Sequence, residues 1–239
     1  MTLIAGIHRI KVVSLTGNSR KKMKQNMRKL FTIALLFFTF ALQAQNLKTY
    51  FIALPDSLSP LLTTVNRQDF GDFLESGMKA EVQNRFGNTS EMKKLTENYL
   101  MIQLTSVSQM EMKLLPVNDS TKVICVAKTY KGPVADTQLA FYSTDWKELP
   151  AEDFIQLPEK EKFYIHPALP EKRDSLENLK GKADMYLLKA NLSEKDNSLS
   201  LTYTVADYLD KETADAIRPY LCKEPLRYQW QEGRFVAEK

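Results

Sequence analysis

The sequence is poor in the residues on which most enzyme chemistry depends. Only two of its 239 residues are histidine and only two are cysteine. A serine or cysteine nucleophile usually transfers its proton to a histidine base. The first histidine lies in an N-terminal stretch that we exclude from the fold, and the second, His166, precedes a proline in a loop-like segment. We therefore predict no catalytic residue of this kind.

Signatures of metal and nucleotide sites are also missing. A zinc site made of side chains needs three or four ligands, and the chain contains neither CxxC nor HExxH. It has neither of the glycine-rich phosphate-binding patterns, GxGxxG and GxxxxGK[ST]. An aspartate-rich calcium loop with a central glycine is absent as well. The sequence accordingly predicts no metal site and no cofactor.

Long apolar runs are scarce, and the longest one indicates where the protein resides. Residues 30–42 form a run of 13 uncharged residues, which is short for a bilayer-spanning helix of about 20 residues. Arg28 and Lys29 precede this run and small and polar residues follow it, which is the pattern of a secretory signal peptide. We predict cleavage near Ala44 and a periplasmic or secreted protein without a membrane span. The alternative is a buried helix of the folded protein.

All of the excess positive charge lies in this leader. The whole chain carries 33 basic and 29 acidic residues, a net charge of +4. Residues 1–44 hold eight of the basic residues and none of the acidic ones, so residues 45–239 have a net charge of −4. Nucleic-acid binding depends on a basic patch, and because none follows residue 45 we predict no nucleic-acid partner. The part of the leader upstream of Met23 or Met27 is interpreted as a mis-assigned extension of the signal peptide. The alternative is an unusually long positively charged region of the signal peptide.

Residues 45–150 show helical periodicity followed by strand periodicity. Apolar residues from Leu58 to Val65 recur at helical spacing, and a second short helix follows them. From residue 79 the period changes to two, with a hairpin turn at Gly87 and further turn signals about every ten residues. This pattern predicts short N-terminal helices and then an antiparallel β-meander.

The rest of the chain divides into two further segments. Residues 151–182 are rich in proline and charge, and we predict a linker or covering loop without a long regular element. Residues 183–239 predict a smaller β-β-α-β-β unit whose helix is capped by Asp207 or Asp210. This unit is separate or forms one globule with residues 45–150. The predicted fold class is α+β.

Three phrases of the sequence resemble a family of secreted proteins. They are FIALPDSLSPLL, followed by Arg67-Gln68-Asp69, then YLMIQLTSVSQMEMKLLP, and then ICVAKTYKGPVADTQLAFYSTDW. The family comes from anaerobic Gram-negative gut bacteria and is known only as a domain of unknown function. The resemblance covers most of residues 47–237. It implies export and a single module of this length, and it implies no catalytic residues.

Two cysteines in an exported protein suggest a disulfide. Cys125 lies in an apolar strand pattern, and Cys222 lies at the predicted end of the last helix. The export route is oxidising, and a bond between these residues would join the meander to the last unit. The alternative is a pair of buried, inert thiols.

Three serines follow an aspartate in a short pattern. Ser57, Ser120 and Ser175 stand in Asp-Ser-Leu or Asp-Ser-Thr, which resembles the acceptor for O-glycosylation in the periplasm of some gut bacteria. All three fall in predicted turns or loops, so they are candidate glycosylation sites. Asp-Ser is equally good capping and turn chemistry, which is the alternative.

Aromatic residues are frequent towards the C-terminus. Tyr203, Tyr228 and Trp230 are candidate binding residues, because aromatic side chains stack on sugars and recur at peptide interfaces. The alternative is that the same residues pack on the last helix from the inner faces of the strands.

These patterns favour a binding protein over an enzyme. The leading hypothesis is a non-enzymatic envelope protein that binds another protein or an envelope polymer. The second is a hydrolase of glycan or peptide that uses two carboxylates, with Glu152-Asp153 or the acidic group at Asp207, Asp210, Glu212 and Asp215 as candidates. The third is a carrier of a small apolar ligand with its pocket under the meander.

Overall fold

The computed structural model describes residues 46–238, which form two antiparallel sheets accompanied by short helices. The predicted signal peptide and its cleavage site lie outside these residues. Within residues 46–238 no helix is both long enough and apolar enough to cross a membrane.

Two capped helices open the described chain. The α1 helix (Leu47–Ile52) begins after Asn46, whose side chain accepts a backbone N–H of the first turn. The α2 helix (Thr64–Glu75) begins with a capping box between Thr63 and Asn66. Both helices pack on one face of the larger sheet.

The structure of the loop between these helices contradicts one prediction. Helical spacing predicts a helix from Leu58 to Val65, but residues 53–63 form a loop with two turns. Pro60 lies in the middle of this pattern, and a proline in a helix interior removes a hydrogen bond and clashes with the preceding turn. Leu54 and Leu62 of this loop are buried, with 2% and 0% exposure, because the loop covers the sheet.

Seven antiparallel strands follow, each paired with the next along the chain. Their bounds are β1 (Glu81–Gln83), β2 (Thr89–Leu95), β3 (Tyr99–Thr105), β4 (Ser108–Pro116), β5 (Lys122–Tyr130), β6 (Asp136–Ser143) and β7 (Glu148–Leu149). The predicted hairpin turn at Gly87 is confirmed, with φ +76° in the connection from β1 to β2. In a meander of this kind the connections after β1, β3 and β5 lie at the same end of the sheet.

The central strands β4 and β5 bury both of their faces. Met110, Met112 and Ile124 belong to the core on the helix side. Leu115 and Cys125 point the other way and belong to the core shared with the smaller sheet. Side chains alternate between the two faces of a strand, so this larger sheet is the middle layer of the fold.

The proline-rich segment 151–182 is only partly irregular. It contains two 3-10 turns, Ala151–Asp153 and Lys160–Phe163, and then the α3 helix (Pro170–Lys182). The prediction that it holds no long regular element is therefore wrong. Pro170 occupies the first helical turn, where a missing N–H and a fixed φ are compatible with the helix.

The remaining chain forms the smaller sheet and a further helix. Its strands are β8 (Leu188–Leu192), β9 (Ser198–Tyr203), β10 (Leu226–Gln231) and β11 (Arg234–Ala237), in the spatial order β11-β10-β9-β8. The α4 helix (Lys211–Ile217) lies between β9 and β10 in the chain and is capped by Asp210, as predicted. The predicted α+β class, with helices, a meander and a β-β-α-β-β unit, is confirmed.

Side chains fasten β8 to the larger sheet. The N–H groups of residues 188, 190 and 192 donate to side-chain oxygens of Asp136, Thr137 and Glu111, each at 3.0 Å. An edge strand with unsatisfied N–H groups is a template for unwanted pairing. These three bonds satisfy the N–H groups along the edge of β8 and position the smaller sheet against the larger one.

Candidate functional site

A groove of about 750 Å³ lies beside β11, the outer strand of the smaller sheet. One wall is the segment 156–159, and the other is β11 with part of β10. The segment is held because the Phe235 N–H donates to the Phe154 carbonyl oxygen at 2.7 Å. The groove therefore adjoins a short parallel pairing of Ile155 with Phe235.

Beyond Phe235, the side of β11 that faces away from β10 has no neighbouring strand among residues 46–238. The Glu238 N–H donates to the Arg227 carbonyl oxygen at 2.8 Å, so the neighbouring pair of Tyr228 and Ala237 is not hydrogen-bonded. The N–H and C=O of Ala237 consequently point away from β10, and among residues 46–238 they have no backbone partner. An open edge of this kind accepts a further extended chain.

Apolar, basic and acidic side chains line the groove. Leu157 and Val236 stand on opposite walls and are 45% and 42% exposed. Lys162 and Arg234 also stand on opposite walls, and neither has an ion-pair partner in the part of the chain that the structure describes. The two cations are therefore available to an acidic ligand.

A buried polar cluster lies between the two sheets at β4. Glu111 is 3% exposed, and its carboxylate accepts the Tyr99 hydroxyl at 3.1 Å and the Leu192 N–H at 3.0 Å. Burial raises the pKa of Glu111, against the opposing effect of these hydrogen bonds. One carboxylate oxygen joins the two sheets through Leu192, and the other accepts from Tyr99 within the larger sheet, which gives this residue a structural role.

Lys113 extends this cluster towards the turn between β8 and β9. Its ammonium donates to the Ser193 carbonyl oxygen at 3.0 Å and lies 5.7 Å from the centre of the Tyr99 ring. Burial lowers the pKa of Lys113. Sequence analysis missed both charged residues, because charges at alternate positions of a strand normally indicate its solvent face.

A second network of charges holds the loop between α1 and α2. Arg67 is 2% exposed, and its guanidinium donates to the carbonyl oxygens of Ile52 and Leu62 at 3.3 and 2.8 Å. Asp56 pairs with Arg85 and, at 3.1 Å, with Arg67, and hydrogen bonds from both guanidinium groups lower the pKa of its carboxyl. The loop is therefore fixed above the larger sheet.

The segments that form this loop and the meander lie in a region of the sequence that a family model matches. A family model described as a protein of unknown function (DUF3256) matches residues 39–235. The chain belongs to the DUF3256 family. This confirms the predicted membership of an uncharacterised family, while export and a gut origin stay predictions.

A solved relative has the same fold as this DUF3256 chain. It is described as a domain of an uncharacterized protein from Porphyromonas gingivalis W83, and it is 32% identical with a TM-score of 0.71. The match covers 80% of this chain and 97% of that one. No curated protein matches the chain at a significant level.

The aromatic residues predicted to bind a ligand are buried in this DUF3256 chain. Tyr203, Tyr228 and Trp230 are 8%, 5% and 7% exposed and belong to the core between the sheets. The Trp230 indole N–H donates to the Pro116 carbonyl oxygen at 2.6 Å. Of the three, only Tyr228 borders the groove. Their packing agrees with the alternative interpretation, in which these side chains pack from the inner faces of the strands.

The two cysteines are free thiols in the structure, so the predicted disulfide is not formed. Cys125 is buried in β5, and burial raises the pKa of its thiol. Cys222 is held elsewhere, because its N–H donates to the Phe163 carbonyl oxygen at 2.8 Å. Each thiol is therefore positioned by a different set of contacts.

The three candidate glycosylation serines are exposed. Ser57 lies in the loop after α1, and Ser120 lies in the turn after β4. Ser175 lies within α3, where a loop is predicted, and its hydroxyl donates to the Glu171 carbonyl oxygen at 2.9 Å. Glycosylation at these positions stays a prediction.

Two of the acidic residues considered for hydrolysis have ordinary surface roles. Asp210 accepts the Thr213 N–H at 3.0 Å as the cap of α4, and this hydrogen bond lowers the pKa of its carboxyl. Asp207 pairs with Arg218 at 2.8 Å. Across residues 46–238, no three His, Cys, Asp or Glu side chains are grouped to hold a metal ion. His166 is exposed.

Proposed function

We propose that this protein is a non-enzymatic binding module of the cell envelope, and that its groove beside β11 binds an extended segment of a partner protein. The observation that carries the proposal is the open strand edge at Ala237 inside that groove. Main-chain hydrogen bonds to an open edge supply affinity for an added strand, and the flanking side chains select its sequence. The envelope location rests on the predicted signal peptide.

The lining of the groove indicates the chemistry of the partner segment. Leu157 and Val236 offer apolar contact to side chains on alternate positions of an extended chain. Lys162 and Arg234 offer charge to an acidic side chain, whereas Arg227 already pairs with Glu238 at 3.6 Å. The segment that fits is therefore extended and carries an acidic residue next to apolar ones.

A photo-crosslinking residue at position 236 tests this proposal in cells that express the protein with its leader. We expect a crosslinked protein product at position 236, whose side chain lines the groove. The matched control is position 107, because Val107 is an equally apolar residue with 54% exposure in the turn after β3. A product that forms equally at both positions would contradict binding in the groove.

Charge reversal shows whether the captured partner uses the groove as proposed. We expect Arg234→Glu to lower the yield of the product at position 236 about tenfold, because it removes one cation and repels an acidic segment. Lys172→Glu is the control, since Lys172 is exposed on α3 outside the groove lining. Equal yields from the two charge-reversal variants would exclude an acidic segment as the ligand.

A further inference from the structure

A small apolar pocket lies beneath the loop between α1 and α2. Its volume is about 100 Å³, and residues of the loop and of β3, β4 and β5 line it. Leu58, Leu61, Leu104 and Met110 provide most of the apolar lining. An apolar cavity of about 150 Å³ holds a benzene molecule. This pocket has about two-thirds of that volume, which is room for an aliphatic chain of about three to four carbons.

The roof of this pocket is held by three separate contacts. The Lys128 ammonium donates to the Leu58 carbonyl oxygen at 3.1 Å. The backbone N–H of Arg85 donates to the Leu61 carbonyl oxygen at 2.9 Å. The next carbonyl, that of Leu62, accepts from the buried Arg67. The loop is thus positioned before any ligand arrives, which reduces the entropy cost of binding.

Lys128 places a cation in the wall of the pocket. An ammonium has three donors, and within residues 46–238 the one acceptor for Lys128 is the Leu58 carbonyl oxygen. The acid that acts on it electrostatically is Glu148 on β7, which is not within ion-pair distance. Donors of Lys128 therefore remain for a negatively charged acceptor beside the apolar lining.

We infer that this pocket binds a short aliphatic carboxylate of about three to four carbons. The chain lies against Leu58, Leu61 and Met110, and the carboxylate accepts hydrogen bonds from Lys128. Acids with long chains exceed the volume, since pockets for drug-sized ligands measure about 300–1,000 Å³. This site is separate from the groove beside β11, so the inference does not depend on the proposed function.

Methyl NMR of the methionines tests this inference on the unaltered protein. Butanoate is titrated into protein labelled at the methionine methyl groups. We expect a saturable shift of the Met110 methyl signal, with a Kd of about 0.1–10 mM, as for a small fragment. Met78 and Met185 are internal controls because they are 53% and 38% exposed and do not line the pocket. A Met110 signal that does not move, or equal shifts of all three signals, overturns the inference.

The charge contribution is tested with an uncharged ligand and with a lysine variant. Butan-1-ol has the same chain without the charge, and we expect it to bind at least about tenfold more weakly. Lys128→Met should weaken binding of the acid by a similar factor. Lys131→Met, which alters a lysine outside the pocket lining, should leave it unchanged. Equal affinity for the acid and the alcohol would contradict the role of Lys128, even if the variant disturbed the loop.

Discussion

Glu111 and Lys113 stand two residues apart on β4 and are 3% and 1% exposed. Burying a charge is costly unless hydrogen bonds and opposite charges replace the lost water. For both residues the replacement comes from the smaller sheet, through the Leu192 N–H and the Ser193 carbonyl oxygen. At the scale of residues, the contact between the sheets therefore depends on polar groups as well as on apolar burial.

Glu111 should make the stability of the protein depend on pH. Because burial raises its pKa, the folded state favours the protonated carboxyl, and stability falls as pH rises from the ordinary value of 4.5 through the raised pKa. Glu111→Gln keeps an acceptor for Leu192 and removes the ionisation. We expect its free energy of unfolding, relative to the unaltered protein, to increase as the pH rises from below the ordinary pKa of 4.5 to above the raised pKa.

Urea unfolding at a series of pH values measures this difference. Glu171→Gln serves as the control, because Glu171 is an exposed carboxylate on α3. The difference from the unaltered protein should change less with pH for Glu171→Gln than for Glu111→Gln. If the Glu111→Gln curve runs parallel to that of the unaltered protein, burial of this carboxylate has no energetic consequence.

At the scale of elements, local pattern predicts the strands better than the helices. The hairpin at Gly87 and the cap of α4 at Asp210 depend on neighbouring residues, and both predictions are confirmed. The predicted helix over residues 58–65 is wrong, since Pro60 lies inside it and the loop is instead held by contacts with distant residues such as Lys128. The α3 helix was missed because Pro170 begins it rather than ends it.

The edge strand β8 offers a prediction at the same scale. Thr137→Val preserves the shape of the side chain but removes the acceptor of the Ala190 N–H and the partner of the Thr129 hydroxyl. We expect a loss of about 1–3 kcal/mol in the free energy of unfolding, because buried donors are left unpaired. Chemical denaturation measures this loss. Thr202→Val on β9 is the control, and an equal effect of both substitutions would contradict a specific role for the edge contacts.

At the scale of the whole molecule, one sheet takes part in two hydrophobic cores. Strands β4 and β5 contribute to the core beneath the helices and to the core between the sheets. Trp146 belongs to the first core and Trp230 to the second. Because the same strands connect both cores, we expect the cores to unfold together rather than as units divided near residue 150.

The two tryptophans allow each core to be followed separately, since the chain contains no others. In Trp146→Phe the fluorescence comes from Trp230, and in Trp230→Phe it comes from Trp146. Within each variant, the urea midpoint measured by fluorescence should equal the midpoint measured by far-UV circular dichroism. A fluorescence midpoint that departs from the circular dichroism midpoint in either variant would show that one core unfolds independently.

The sequence by itself determined the α+β class, the meander and the membership of an uncharacterised family, because these depend on local periodicity, turn residues and recognisable phrases. Only the tertiary structure decided which face of each strand is buried. It placed Trp230 in the core, put Glu111 between the sheets and left the edge of β11 open. Both candidate binding sites arise where segments far apart in the chain meet, and the local sequence pattern contains no signal for such contacts.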